Sequence, residues 1–176
     1  MTCEQTSPVA TRHKRSRAIA LALLAVGMLL AGCASDPGRM LPGRSKAEVL
    51  QQLGAPTAVY PLSPGERLQY SRAPAGTEVS NVDLDATGQV VSVRQELDEG
   101  LFGATIRPGV WRVADVLRTY GQPMEISRVG SFDGVVWSWR YKAINAPRLL
   151  YIYIDPQGGV DHYSVGDDLM RERPLR

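Results

Sequence analysis

The sequence predicts an α+β protein in which one helix and one three-stranded antiparallel sheet occur twice along the chain. Two observations lead to this prediction. The residues after about position 40 repeat themselves at an offset of 67 to 70, and each copy shows one helical stripe followed by three segments of period-two alternation. Self-similarity at one period determines the architecture before local patterns are considered. Each helix is expected to cover the apolar face of its own sheet.

The helices are predicted from their ends. In the first copy Ser45 is followed three residues later by Glu48, a capping-box pattern, and the stripe stops at Gly54. In the second copy an apolar stripe runs from Val110 to Tyr120 and stops at Gly121. The pairs that match around these ends are Val49 and Val116, Leu50 and Leu117, Gly54 and Gly121, and Pro56 and Pro123.

The strands are predicted from alternation between turn signals. They are expected at 66–72, 79–84 and 90–95, and again at 134–141, 150–155 and 160–165. Short turns at 85–88 and 155–158 imply antiparallel pairing. The residues expected to face the helices are Leu68, Tyr70, Val82, Leu84, Val91 and Val93, and then Trp137, Trp139, Ile152, Ile154, Tyr163 and Val165.

The first 33 residues have the pattern of an export signal. Four basic residues precede a 15-residue apolar stretch, which is too short to be a good membrane span. The ending Leu30-Ala31-Gly32-Cys33 resembles the bacterial lipobox, which implies cleavage between Gly32 and Cys33 and acylation of Cys33. Ala34 then favours sorting to the outer membrane, by the same resemblance to proteobacterial lipoproteins.

The predicted organisation follows from these boundaries. It comprises a signal peptide (1–32), a flexible tether (33–40), the first unit (41–96), a connector (97–106), the second unit (107–168) and a C-terminal tail (169–176). The connector contains Leu97, Leu101, Phe102 and Ile106, so it is expected to pack at the junction between the units.

Composition excludes several classes of function. Without its signal the chain would have 16 basic and 17 acidic residues, which gives no electrostatic case for nucleic acid. Cys33 would be the only cysteine, so no disulfide is expected within one chain. His162 would be the only histidine, and no metal, cofactor or catalytic constellation is predicted. The chain is therefore not expected to be an enzyme.

A family resemblance rests on the helix region of each copy. In the first it is carried by Pro42, Gly43, Ser45, Lys46, Val49, Leu53, Gly54 and Pro56, and its weaker echo is Pro108, Gly109, Val116, Gly121 and Pro123. With the lipobox, this pattern resembles the SmpA/OmlA (BamE-like) family of outer-membrane lipoproteins. The resemblance implies a BamE-like fold for each unit and a role in β-barrel assembly or envelope integrity. The family has one such unit, whereas this chain has two, and the second lacks the Ser-Lys start.

The outward faces of the two sheets differ in composition. The first face is expected to be an ordinary solvated surface and carries Arg67, Gln69, Ser71, Asn81, Asp83, Ser92 and Arg94. The second carries Val136, Ser138, Arg140, Leu149, Tyr151, Tyr153 and His162. Tyrosine and arginine dominate interface energies, so Arg140, Tyr151, Tyr153 and His162 are candidate partner-binding residues. Internal packing of this face is the alternative. Trp111 is a further candidate, either as an inter-unit contact or as a ligand anchor.

The leading expectation is a non-enzymatic binding module that is anchored to the outer membrane, faces the periplasm and contacts a subunit of the barrel-assembly machinery. The alternative is an inhibitor-like binder of a periplasmic enzyme, because two helix–sheet units in tandem are similar in architecture to the β-lactamase inhibitory proteins. A purely structural role, tethering envelope layers, is a third possibility.

Overall fold

The computed structural model describes residues 36–144 and 146–168, which form an α+β domain with two four-stranded antiparallel sheets. The first half contains α1 (Lys46–Leu53), β1 (Ala58–Pro61), β2 (Glu66–Ser71), β3 (Val79–Leu84) and β4 (Val90–Gln95). A connecting helix, α2 (Glu99–Thr105), follows. The second half contains α3 (Val113–Tyr120), β5 (Glu125–Ser127), β6 (Val135–Lys142), β7 (Pro147–Ile154) and β8 (Val160–Asp167).

Several predicted features lie outside the described residues, namely the signal peptide at 1–32, the cleavage position at Gly32 and Cys33, and the tail at 169–176. Within the described part of the chain, the helices are all too short or too polar to cross a bilayer. The flexible tether was predicted at 33–40, but residues 37–40 are folded. Pro37–Arg39 form a 3-10 turn, and Pro37 and Met40 are buried.

The prediction of three strands per sheet was wrong, because each half has a fourth strand between its helix and the first predicted strand. The strands run in chain order across each sheet, so β1 and β5 form one edge of their respective sheets. β1 has four residues and ends at Pro61, and β5 has only three. Such short edge strands show no sustained alternation, and proline is tolerated at an edge because it need not donate to the ladder.

The Pro-Gly sequences before the two helices have the same structural role. Gly43 and Gly109 both adopt positive φ, at 84° and 72°. The amide of Gly43 donates to the carbonyl of Val90 at 2.8 Å, and that of Gly109 donates to the carbonyl of Val160 at 2.7 Å. Positive φ is readily available only to glycine. The repeated motif therefore ties the start of each half to the last strand of its sheet.

The helix starts are tied to the sheets in the same way. The amide of Lys46 donates to the carbonyl of Gly88 at 2.8 Å, and that of Val113 donates to Gly158 at 3.0 Å. Ser45 and Glu48 form the predicted capping box. In the second half the helix begins at Val113, three residues later than its apolar stripe, and Val110 is exposed. The two halves thus share element order, register and loop hydrogen bonds.

Two hydrophobic clusters fill the space between helices and sheets. In the first half Val49 of α1 packs with five other buried residues from the sheet and the 3-10 turn, namely Met40, Leu68, Val82, Leu84 and Val90. The second cluster is larger and joins α3 to its sheet and to the connector. Leu97, Phe102 and Ile106 are buried in it, as is Val79 from β3. The connector therefore shares a core with both halves.

Val91 does not face α1 as expected. It is exposed, whereas Val90 is buried. The ladder between β3 and β4 is irregular at Asp83 and Leu84, where Leu84 pairs with Val90 and Asp83 with Ser92. An extra residue in one strand reverses the alternation beyond it, which the sequence pattern alone does not reveal.

Candidate functional site

The polar face of the first sheet is covered by the C-terminal end of α3. Gln69 and Asn81, which are paired across β2 and β3, are each only 1% exposed. The side-chain amide of Gln69 donates to the carbonyls of Leu117 and Arg118, both at 3.2 Å. That of Asn81 donates to Thr119 O at 3.0 Å. The expectation that this face is solvated was therefore wrong.

These contacts have a clear physical basis. The last carbonyls of a helix lack partners within the helix, and a buried carbonyl without one is costly. The side-chain amides of Gln69 and Asn81 supply donors to the Arg118 and Thr119 carbonyls, whereas the Leu117 carbonyl also accepts from the backbone amide of Gly121 at 2.9 Å. Arg67 adds a weaker contact from its Nη1 atom to Arg118 O at 3.3 Å. Its Nε and Nη2 atoms bind Asp83 at 2.7 and 2.8 Å. The junction between the halves is thus a hydrogen-bonded interface.

Glu96 is a buried carboxyl group at this junction. It is 2% exposed, and its Oε1 accepts a hydrogen bond from Asn81 Nδ2 at 3.2 Å. Its Oε2 is buried without a hydrogen-bond partner among the described residues. Burial raises the pKa of Glu96, although the Asn81 hydrogen bond and the charge of Arg94 partly offset the increase. A carboxyl group with a raised pKa in a cleft is a recognised mark of a functional site.

A cleft opens beside Glu96 where the two halves meet. It has a volume of about 610 Å³, in the range of small-molecule sites. The first half contributes the loop at 61–63 together with Arg67, Arg94 and Glu96, and the second contributes Trp111, Arg118 and Thr119. Arg94 reaches to within 4.0 Å of the Glu96 carboxyl through its Nε and is 54% exposed. The cleft therefore combines guanidinium groups with an indole ring.

Trp111 lies at this junction and outside the helical stripe, as the sequence indicated. It precedes α3, is partly buried and packs against the second core, with its ring 6.3 Å from that of Tyr120. It also lines the cleft opposite residues of the first half. Both roles considered for Trp111, inter-unit contact and ligand anchor, are compatible with this position.

The outward face of the second sheet contains an aromatic cluster. The rings of Tyr153 and His162 stack at 3.8 Å, and Phe132 meets each of them edge-on, at 5.3 and 6.0 Å. Tyr151 and Tyr153 are half-buried and His162 is exposed. Burial raises the pKa of Tyr151. Val136, Ser138 and Leu149, on the same face, are buried. Part of this surface is accessible and part is covered.

Arg140 is engaged in an ion pair with Asp168 on that face, and the Asp168 carboxyl is almost completely buried. His162 Nδ1 lies 2.6 Å from the Asp161 carboxyl, with both side chains about half exposed. Within residues 36–144 and 146–168 no group of His, Cys, Asp and Glu has the arrangement of a metal site. The four predicted residues Arg140, Tyr151, Tyr153 and His162 thus share one face of the second sheet, but Arg140 is already paired.

The cleft was not predicted from the sequence. Glu96 follows the last residue of β4, and its sequence context resembles that of any exposed strand end. One signal could have identified it. Gln69 and Asn81 are uncharged amides on a face otherwise made of charged residues and serines, and such amides often satisfy buried backbone groups.

Comparisons with known proteins give little further guidance. Neither the protein-family models nor the curated protein sequences contain a match. Among solved structures, the chain is similar to a DUF4309 family protein (YjgB) from Bacillus subtilis. The sequence identity is 14%, the match covers 70% of this chain and 78% of that one, and the TM-score is 0.30. A TM-score this low supports no inference about fold or function.

Proposed function

We propose that this protein is a lipid-anchored module of the outer membrane that faces the periplasm and binds other proteins during β-barrel assembly or envelope maintenance. The observation that carries the proposal is the N-terminal sequence, in which basic residues and a short apolar stretch lead to Leu30-Ala31-Gly32-Cys33. Two BamE-like units, each extended by an edge strand, are the corresponding fold proposal. The identical loop hydrogen bonds at Gly43 and Gly109 support duplication of one unit.

The start of the folded domain agrees with anchoring at Cys33. Pro37, four positions after Cys33, is buried in the folded domain. An extended chain of that length spans at most about 14 Å. A lipid on Cys33 would therefore hold the domain close to the membrane surface, where a partner embedded in or attached to the same membrane is within reach.

The anchor is tested by replacing the cysteine. Cys33→Ser should abolish incorporation of labelled palmitate and release the protein from the outer-membrane fraction. Cys3→Ser is the matched control, because Cys3 lies in the segment that would be removed, and it should change neither property. Membrane-bound, palmitate-labelled Cys33→Ser protein would contradict the proposal.

The role in assembly is tested separately. Loss of the protein should increase sensitivity to vancomycin and to detergent, and the Cys33→Ser protein should fail to restore resistance. Unchanged sensitivity in the deletion strain would remove the support for a role in barrel assembly or envelope integrity, while leaving the anchor itself in place.

A second candidate function is inhibitor-like binding of a soluble periplasmic enzyme. The aromatic cluster of Phe132, Tyr153 and His162 favours it, because rigid aromatic side chains on a sheet are typical interface anchors. A photocrosslinker at Tyr151 or Tyr153 distinguishes the two candidates. Adducts with an assembly-machinery subunit support the first, and adducts with a soluble enzyme support the second. Cross-linking at Val59, on an edge of the other sheet, is the control.

A further inference from the structure

The cleft at the junction of the two halves is lined by arginine side chains. Three guanidinium groups line it, from Arg67, Arg94 and Arg118. Two of them are neutralised, because Arg67 binds Asp83 and Arg118 binds Asp115 at 2.6 Å. The nearest acidic group to Arg94 in the described part of the chain is Glu96, with 4.0 Å between Nε and Oε1. Arg94 is therefore the cation with the weakest acidic partner.

The buried Glu96 carboxyl lies beside Arg94. It forms only the 4.0 Å contact with Nε of Arg94 and no closer ion pair with the Nη atoms. The carboxyl cannot swing out to form a bidentate pair, because it is 2% exposed and is held by Asn81. Arginine binds planar oxyanions through two parallel N–H groups. A ligand carboxylate in the cleft could accept hydrogen bonds from two parallel N–H groups of Arg94. Arg118 lies on the opposite side of the cleft, in the second half.

The lining also has an apolar part. Pro61 and Leu62 come from the loop between β1 and β2, and Trp111 comes from the segment before α3. Sites for small molecules typically combine such apolar walls with a few charged groups that fix orientation. The cleft volume of about 610 Å³ leaves room for an organic body attached to the anionic group.

The C-terminal end of α3, beside the cleft, favours a carboxylate over a phosphate. Arg118 and Thr119, which line the cleft, belong to the last turn of α3. The C-terminal end of a helix carries partial negative charge, and phosphate sites are instead built at helix N-termini. A singly charged carboxylate is accordingly favoured over a phosphate dianion.

We propose that the cleft binds a small organic monocarboxylate, with its carboxylate paired to Arg94 and its apolar body against Trp111 and Leu62. This inference goes beyond the proposed membrane function and does not depend on it, because the cleft is formed entirely within the folded domain. A module of this kind could bind its ligand whether or not Cys33 carries a lipid.

Four probes separate the contributions to binding. Benzoate carries both the charge and the flat apolar body, benzamide lacks the charge, acetate lacks the body, and inorganic phosphate is the competing anion. Binding to the full chain in detergent micelles is measured by calorimetry and by the NMR shift of the Trp111 indole, assigned with Trp111→Phe. Benzoate should bind with a dissociation constant of about 1 mM or below and shift that signal. Benzamide, acetate and phosphate should each bind at least tenfold more weakly.

The matched variants are Arg94→Gln and Arg72→Gln. Both arginines are exposed to a similar degree, 54% and 59%, but only Arg94 lines the cleft. Arg94→Gln should weaken benzoate binding at least tenfold with an unchanged melting temperature, and Arg72→Gln should have no effect. Four outcomes would each overturn the proposal. They are benzamide binding as tightly as benzoate, phosphate binding more tightly than benzoate, equal effects of the two variants, and no benzoate binding at about 10 mM.

Discussion

The two halves have the same elements but use the outward faces of their sheets differently. In the first half the central positions are occupied by Arg67, Gln69, Asn81 and Asp83, and α3 covers them. The corresponding positions of the second sheet, with the same register, are Val136, Ser138, Tyr151 and Tyr153. The outward faces of the two sheets thus differ: the first face holds the halves together, and the second carries an aromatic surface.

The interiors differ in size. Six buried residues form the first cluster, whereas twelve form the second, which also includes the connector and Val79. Tyr70 and Trp139 occupy corresponding strand positions, but Tyr70 is partly exposed and Trp139 is 1% exposed. The second half therefore carries more of the stability that hydrophobic burial provides.

The largest expected effect comes from these corresponding positions. Trp139→Ala should lower the free energy of unfolding by about 4 kcal/mol, because it leaves a large cavity in the second core. Tyr70→Ala should cost about 2 kcal/mol, since part of that side chain is already solvated. Chemical denaturation of both variants measures the difference. Equal losses would show that the two cores contribute equally.

The next effect concerns the two exteriors. Asn81→Ala should cost about 3 kcal/mol, because it leaves the Thr119 carbonyl and the Glu96 carboxyl without their donor. Tyr151→Ala, at the corresponding position of the second sheet, should cost about 1 kcal/mol. A larger loss for Tyr151→Ala would indicate that the aromatic face is an internal packing surface and would weaken its assignment to a partner.

A smaller effect concerns the two Pro-Gly loops. Gly43→Ala and Gly109→Ala each place a side chain at positive φ, in positions where a Cβ atom meets nothing within 4 Å. Each should therefore cost about 1 to 2 kcal/mol through backbone strain alone. Thermal unfolding of the two variants should give matching losses. Unequal losses would show that the two Pro-Gly loops differ in their contribution to stability.

The smallest effect is a dependence on pH. The pKa of Glu96 is raised in the folded protein, so its protonated form favours folding at low pH and this contribution is lost as the pH rises above the ordinary value. Glu96→Gln keeps an acceptor for Asn81 and removes the charge. The stability of the Glu96→Gln variant relative to the wild type should rise between pH 4 and pH 8, because only the wild type has to bury an ionised carboxylate as the pH increases. Parallel stability curves would show that Glu96 titrates normally.

The helices, the central strands and the turns between them could largely be predicted from the sequence. Gly54, Gly121 and the Asp-initiated turns are local signals, and local signals determine where helices and turns end. The outward faces could not be predicted, because a glutamine or asparagine on a strand looks the same whether water or a helix terminus is its partner. The sequence pattern did not predict β1 and β5, because strands of four and three residues are too short to show alternation and depend on pairing with the neighbouring strand.

The amide contacts from Gln69 and Asn81 to α3 have a consequence for the order of folding. If the chain crosses a membrane from its N-terminus, the first sheet emerges some 20 residues before the helix whose carbonyls its amides must bind. Its outward face stays hydrated until α3 arrives. Under that condition the outward face of the first sheet is covered only after the second half has folded, and a chain interrupted after residue 96 would leave that face exposed to chaperones and proteases.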